Sequence, residues 1–258
     1  MKISSPDKLL FTDPPVTKHQ VAEYYAAVSE RMLPFVRGRA LSLVVCPRGV
    51  KSECFYKKNP APIIVNTADD LLDAVQNNTI EFHAWGSAVA TREKPDVMVF
   101  DLDPDEGLSL RDVRRGVLDL KSVLDELNLI AFLKTSGGKG YHIIVPFTPA
   151  ADWAAFGAFA KSVAQVMEQK WPDRYTTNVR KVNRRGKIFV DWIRNTRSAT
   201  SIAPFSIRAR AGASISMPIA WDELPKTAPN AVTMKNAVAR LEKSDPWKDF
   251  FKVKQALK

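Results

Sequence analysis

Apolar residues recur at three- and four-residue spacing through Val21, Tyr24, Tyr25, Val28, Met32 and Phe35, the period of a helix that buries one face. Thr17 before this run and Gly38 after it supply a start and a stop. The pattern then shortens to strand-like runs at LSLVVC and ECFYKK. Thr67 with Asp70 forms a capping box for a short helix, and TIEFHAW predicts a further strand. This part reads as an N-terminal α/β lobe over about residues 1–95.

The stretch from Val97 to Trp192 is more regular. VMVFDLD is an apolar strand ending in acids, and Ser109 with Asp112 caps a helix from about Leu110 to Leu127. AFLKT and, after the turn SGGKG, GYHIIVPF are two more strands. A helix from about Asp152 to Gln169, a basic loop and the strand KIFVDWI complete the order β-α-β-β-α-β. That order predicts an α+β fold built on a split βαβ, ferredoxin-like sheet over about residues 96–225, followed by a basic helical tail over about 226–258. The handedness of crossovers places the first strand in the centre, with the fourth on one side and the third on the other. No repeat or long linker divides the chain, so one domain is expected.

With 258 residues, 45% of them hydrophobic, the chain buries a sizeable core and is not a disordered segment. No run approaches the roughly 18 apolar residues of a membrane span, and MKISSPDKLLF lacks a signal-peptide core. A soluble, cytoplasmic protein is expected. Its two cysteines, Cys46 and Cys54, read as buried thiols, because a disulfide framework or a zinc site needs more ligands.

The net charge of +10 is unevenly spread. Residues 1–60 carry ten basic and five acidic side chains, net +5; residues 61–133 carry six and fourteen, net −8. Residues 174–210 carry ten basic residues against Asp191 alone, net +9. Basic segments around an acidic centre suggest polyanion binding beside a site for divalent metal. Asp101 and Asp103, two apart on one strand, leave the same sheet face, and the predicted order brings Asp191 beside them. Three such carboxylates repel unless cations lie between them, which is the arrangement that holds Mg²⁺ or Mn²⁺ for nucleotidyl transfer. His142 flanks this site from the third strand. The turn Ser136–Gly137–Gly138–Lys139–Gly140 offers backbone N–H groups, a hydroxyl and a cation to phosphate oxygens. Arg208 and Arg210 alternate with apolar residues and point together at a phosphate tail.

VFDLDPDEGL, TSGGKGYHIIVPF, FVDWIRNTRSATSIAPFSIRARAGASISMPIAWDEL and EFHAWGS together resemble the polymerase domain of bacterial and archaeal DNA ligase D, of the archaeo-eukaryotic primase superfamily. The similarity runs from SPDKLLF to WDEL and implies a primase-polymerase fold. It implies that Asp101, Asp103 and Asp191 are the catalytic, metal-binding carboxylates, and that Ser136, Lys139, His142 and Arg208 bind the nucleotide. It sets His83 near the sugar, the aromatic pair Phe55 and Tyr56 against a base, and Lys8 and Lys18 on a DNA 5′-phosphate. Lys57, Lys58 and Arg210 are expected as weaker DNA contacts. Because strand neighbours face opposite ways, one of Phe55 and Tyr56 is expected to stack.

By this resemblance the chain is a repair polymerase that adds nucleotides, with ribonucleotides preferred, to primer 3′ ends at gaps and double-strand breaks. Two ions, Mn²⁺ or Mg²⁺, are the implied cofactors. NTP or dNTP and broken DNA bearing a 5′-phosphate are the implied substrates, with Ku and a DNA ligase as partners in the prokaryotic nucleoid. The molecule is expected to be a monomer that pairs across DNA ends. The alternatives are a phosphatase of the haloacid dehalogenase type, which VFDLDP also resembles, a DxD glycosyltransferase, and a non-catalytic nucleic-acid-binding module.

Overall fold

Thr17 stays extended and its hydroxyl accepts the Gln20 N–H, while the Gln20 carboxamide accepts the Thr17 N–H, so the first helix starts on a reciprocal box. The computed structural model describes residues 3–58 and 61–257. Its first elements are β1 (Leu9–Thr12), β2 (Pro15–Thr17), α1 (Lys18–Val36), β3 (Arg39–Val45), β4 (Phe55–Lys57), α2 (Ala68–Gln76) and β5 (Thr79–Ala88). There follow β6 (Val97–Pro104), α3 (Leu110–Glu126), β7 (Phe132–Thr135), β8 (Tyr141–Pro146), α4 (Trp153–Lys170), β9 (Tyr175–Thr176) and β10 (Ile188–Asp191). The last are β11 (Thr200–Ile202), β12 (Pro218–Ile219) and α5 (Met234–Ala237).

These elements fall into two compact units. The first gathers Met1–Trp85, Thr200–Met217 and Asn230–Asp245; the second gathers Gly86–Ala199, Pro218–Pro229 and Pro246–Lys258. The segment 226–258, expected as a helical tail, holds in its described residues only the four-residue α5 and short 3-10 turns at Val238–Glu242 and Phe250–Lys252. Pro229 and Pro246 interrupt any longer helix there.

In the first unit a four-stranded sheet runs in the order β11-β5-β3-β4, beside the β1–β2 hairpin. Val21, Tyr25, Val28 and Met32 of α1 are fully buried, as its periodicity predicts. The Tyr25 hydroxyl donates to the Ile80 carbonyl at 2.6 Å, anchoring the helix to β5. Cys46 and Cys54 form a disulfide and are not free thiols. The reason is local: β3 and β4 pair antiparallel with Val45 opposite Phe55, so the next residues on each strand face each other, with Cα atoms 4.3 Å apart. A count of cysteines carries no information about such a hairpin.

The second unit holds a six-stranded sheet in the order β12-β7-β8-β6-β10-β9. Its middle is the expected arrangement, with β6 between β8 and β10 and every neighbour in β7-β8-β6-β10 antiparallel. Helices α3 and α4 pack on each other and on β6. A methyl group on Gly116 of α3 would meet Ile188, Tyr175 and Leu102 at 3.0–3.5 Å, so α3 lies against the face that carries Leu102 and Ile188. Asp101 and Asp103 alternate with Leu102 and occupy the opposite face.

β10 ends at Asp191, and beyond it a buried side chain takes over the pairing. The Asn195 carboxamide accepts the Val99 N–H at 2.7 Å and donates to the Val99 carbonyl at 2.8 Å, doing for β6 what a strand peptide would. Asn195→Ala is expected to lower the unfolding free energy by about 2–3 kcal/mol, because it strands a buried donor and acceptor. Urea titration checks this, and an unchanged midpoint would show that Asn195 does not hold the end of β10.

Candidate active site

Asp191 stands directly opposite Asp101 in the β10–β6 register. On the other flank His142 stands opposite Asp101, and Lys134 stands opposite His142. Lys134, His142, Asp101 and Asp191 therefore make one row across four adjacent strands, with Asp103 two residues further along β6. The three carboxylates share a face, as their spacing predicts.

Their electrostatics follow from crowding. Burial raises the Asp101 carboxyl to about 6; Arg194 opposes the rise, and the Asp191 and Asp103 carboxylates add to it. Asp191 is also raised, by burial first, against the pull of Arg194 and of the Ile193 N–H. Arg194 lies 3.1 Å from Asp191 and 3.8 Å from Asp101. Arg184 lies 3.2 Å from Asp103, its guanidinium 3.7 Å from the centre of the Phe189 ring. Among the described residues no group of three His, Cys, Asp or Glu is arranged as a metal cage; the carboxylates are paired with arginines instead. The donor set nonetheless suits a hard divalent cation, since three carboxylates share one face and the arginine beside Asp101 does not offset the burial that raises it.

The glycine-rich turn differs from expectation. Ser136 Oγ accepts the Gly138 and Gly140 N–H groups at 3.0 and 3.3 Å, and the Gly137 N–H goes to the Pro229 carbonyl. Those three backbone donors are thus already paired, leaving the exposed Lys139 ammonium as the turn's outward group. A Cβ on Gly140 would lie 2.5 Å from the Leu102 carbonyl, so only glycine lets the turn pass over β6.

The remaining assigned residues lie in the first unit. His83 is buried on β5, its Nε2 2.7 Å from Glu81 Oε2. Glu81 Oε1 accepts Arg208 Nε–H at 3.2 Å and the Ala209 N–H at 2.6 Å. Burial would raise this carboxyl, but the His83 hydrogen bond and the Arg208 charge bring it down to about 2. Glu81 thus ties His83 and Arg208 together. The sequence carried a usable signal, because residues 81 and 83 share a strand face. The Arg210 guanidinium is held below its usual range by burial first and then by the Arg208 charge. Phe55 and Tyr56 are exposed rather than core aromatics; Tyr56 meets His83 edge-on at 5.5 Å, and Lys57 and Lys58 beside it are exposed. Lys8 and Lys18 are brought together: the Lys18 N–H donates to the Lys8 carbonyl at 2.8 Å. The Lys8 ammonium donates to the Pro47 carbonyl and to Asn78, and that of Lys18 to the Ser4 carbonyl. Lys18 is lowered by burial and then by the Lys8 charge.

The LigD primase-polymerase domain family matches residues 17–63 and 60–247. The chain belongs to the LigD primase-polymerase family. A multifunctional non-homologous end joining protein LigD of Pseudomonas aeruginosa is 34% identical over 281 residues, covering 100% of this chain and 34% of that protein. That of Mycobacterium tuberculosis is 32% identical over 271 residues, covering 93% of this chain and 35% of the relative. The chain thus spans about a third of the length of these curated relatives. A solved structure, the polymerase domain of Mycobacterium tuberculosis ligase D in complex with DNA, superposes with a TM-score of 0.89 at 27% identity, covering 96% of both chains. As a LigD primase-polymerase domain the chain is a nucleotidyltransferase of α+β fold, and among the described residues no helix is long and apolar enough to cross a membrane.

The raised Asp101 has a testable cost. An unfolded Asp titrates near 4 and the folded one near 6, so the metal-free protein loses stability as pH rises through that window, by about 3 kcal/mol once above it. Asp101→Asn is therefore expected to raise the melting temperature at pH 7.5 in the presence of a chelator and to leave it unchanged at pH 3.5. Calorimetry at the two values checks this; equal stability of both proteins at pH 7.5 would contradict the burial of an ionised Asp101.

Proposed function

We propose that the chain extends the 3′ end of a primer strand at gaps and double-strand breaks, as a repair polymerase of non-homologous end joining. The observation that carries this reading is the pairing of Asp191 with Asp101, beside Asp103, on one sheet face of a LigD primase-polymerase chain. The match to a polymerase domain solved with DNA supports DNA as the partner. NTP or dNTP as substrate with a preference for ribonucleotides, Ku and a ligase as co-workers, and the nucleoid as location belong to the same proposal.

In this reading Asp101, Asp103 and Asp191 hold Mn²⁺ or Mg²⁺, which when bound lowers the pKa of the attacking hydroxyl and neutralises the departing pyrophosphate. Lys139 reaches phosphate oxygens as an exposed cation on a rigid turn. Arg208, fixed by Glu81, presents its guanidinium to the same class of oxygen, with Arg210 close by. His83, held by Glu81 and against Tyr56, is suited to the sugar, and the exposed Phe55 and Tyr56 offer ring faces to a base. Lys8 and Lys18 are two adjacent cations whose mutual repulsion a 5′-phosphate would relieve. The phosphatase reading has no support in a chain of this family, and a purely non-catalytic module would leave the crowded carboxylates as an uncompensated cost.

The direct test mixes the protein with gapped, 5′-phosphorylated DNA, Mn²⁺ and labelled ribo- and deoxyribonucleotides. Extension is expected with the natural protein, with ribonucleotides the faster, and only background with Asp101→Ala; unchanged extension by the variant would overturn the assignment. Replacing Lys8 and Lys18 together by Ala is expected to abolish the preference for 5′-phosphorylated gaps and to reduce the salt dependence of DNA binding by about one to two in slope. An equal loss on gaps with and without the phosphate would reduce these lysines to general DNA affinity.

A further inference from the structure

Lys134 has no part in the reaction as proposed, yet it is a lysine buried to 1% exposure in the middle of a sheet. A buried ammonium is costly unless its surroundings require it, and a methionine would fill the same space at less expense. Its Nζ lies 3.0 Å from His142 Nδ1, and His142 Nε2 lies 3.5 Å from Asp101 Oδ1. Arg194 approaches the other oxygen of that carboxylate, Oδ2. An ammonium has donors only, so Nδ1 must accept, and a neutral imidazole then keeps its proton on Nε2, facing Asp101. The row across β7, β8 and β6 thus has a direction: donor, acceptor-and-donor, acceptor.

We propose that Lys134 is a positioning residue that fixes the tautomer of His142, so that the imidazole N–H steadies Asp101 Oδ1 and determines which edge of the carboxylate is left for a cation. A metal-binding carboxylate is commonly steered by hydrogen bonds behind it, and losing such support typically weakens metal affinity by about 10–100-fold. The consequence for metal rests on the assignment of Asp101 as a ligand; the tautomer does not.

The chain has three histidines, His19, His83 and His142, so ¹⁵N correlation spectra of the metal-free protein resolve each ring. In the natural protein His142 is expected with an unprotonated Nδ1 and a protonated Nε2; in Lys134→Met the proton is expected to redistribute toward Nδ1, and in Lys134→Arg, also a pure donor, to stay on Nε2. A protonated Nδ1 in the natural protein overturns the proposal even if neither variant folds, and so does an unchanged tautomer in a folded Lys134→Met. A Mn²⁺ titration followed by electron paramagnetic resonance supplies the second arm, with affinity about tenfold weaker in Lys134→Met. If Asp101→Asn leaves Mn²⁺ affinity unchanged, the ligand assignment fails while the tautomer result stands. If Asp101→Asn abolishes binding and Lys134→Met leaves it intact, the positioning role itself is wrong.

Discussion

The antiparallel register of β10 on β6 is the constraint from which the rest of the site follows. Sliding that pairing by one residue would send Asp191 to the face covered by α3 and bring Val190 beside Asp101. The register is secured from both ends. Ile188 and Leu102 are locked under Gly116, where a larger residue would crowd them, and Asn195 completes the edge of β6 once the strand has ended. Precision in the carboxylates is therefore supplied by apolar packing on one face and by one buried amide, neither of which touches the chemistry.

The two units handle buried charge in different ways. In the second, burial first and neighbouring carboxylates after it hold Asp101 and Asp191 above their ordinary range, and Arg194 only partly compensates. In the first, the carboxylate of Glu81 is met by the His83 hydrogen bond, the Arg208 charge and a backbone N–H, which keep it ionised despite its burial. The first arrangement stores demand for a cation, while the second is already satisfied and serves to hold its members still.

Much of this was legible in the residues because the signals were local. Thr17 and the capping boxes at Thr67 and Ser109 mark helix starts one residue before α1, α2 and α3, and the strand order follows from handedness once β-α-β-β-α-β is read. The convergence of Asp101, Asp191 and His142 came from topology plus a period of two. What escaped depends on partners distant in sequence. Lys134 in AFLKT looks like an ordinary strand-end lysine until β7 is set against β8, and Arg194 is one of ten basic residues in its segment until the turn after β10 aims it. The Cys46–Cys54 bond escaped because it depends on hairpin register, and two N–H groups of the glycine turn were claimed by a serine hydroxyl that a motif cannot orient.

The six-stranded sheet is bounded by β12 and β9, each two residues long, and β12 opens with Pro218, which has no N–H to offer. Such edges give an incoming strand almost nothing to pair with. A sheet whose ends are closed in this way is insulated from strand exchange with other copies and with extended peptides. Binding at this sheet is therefore left to side chains and loops, by contacts that can be made and released, and not to lengthening of the sheet.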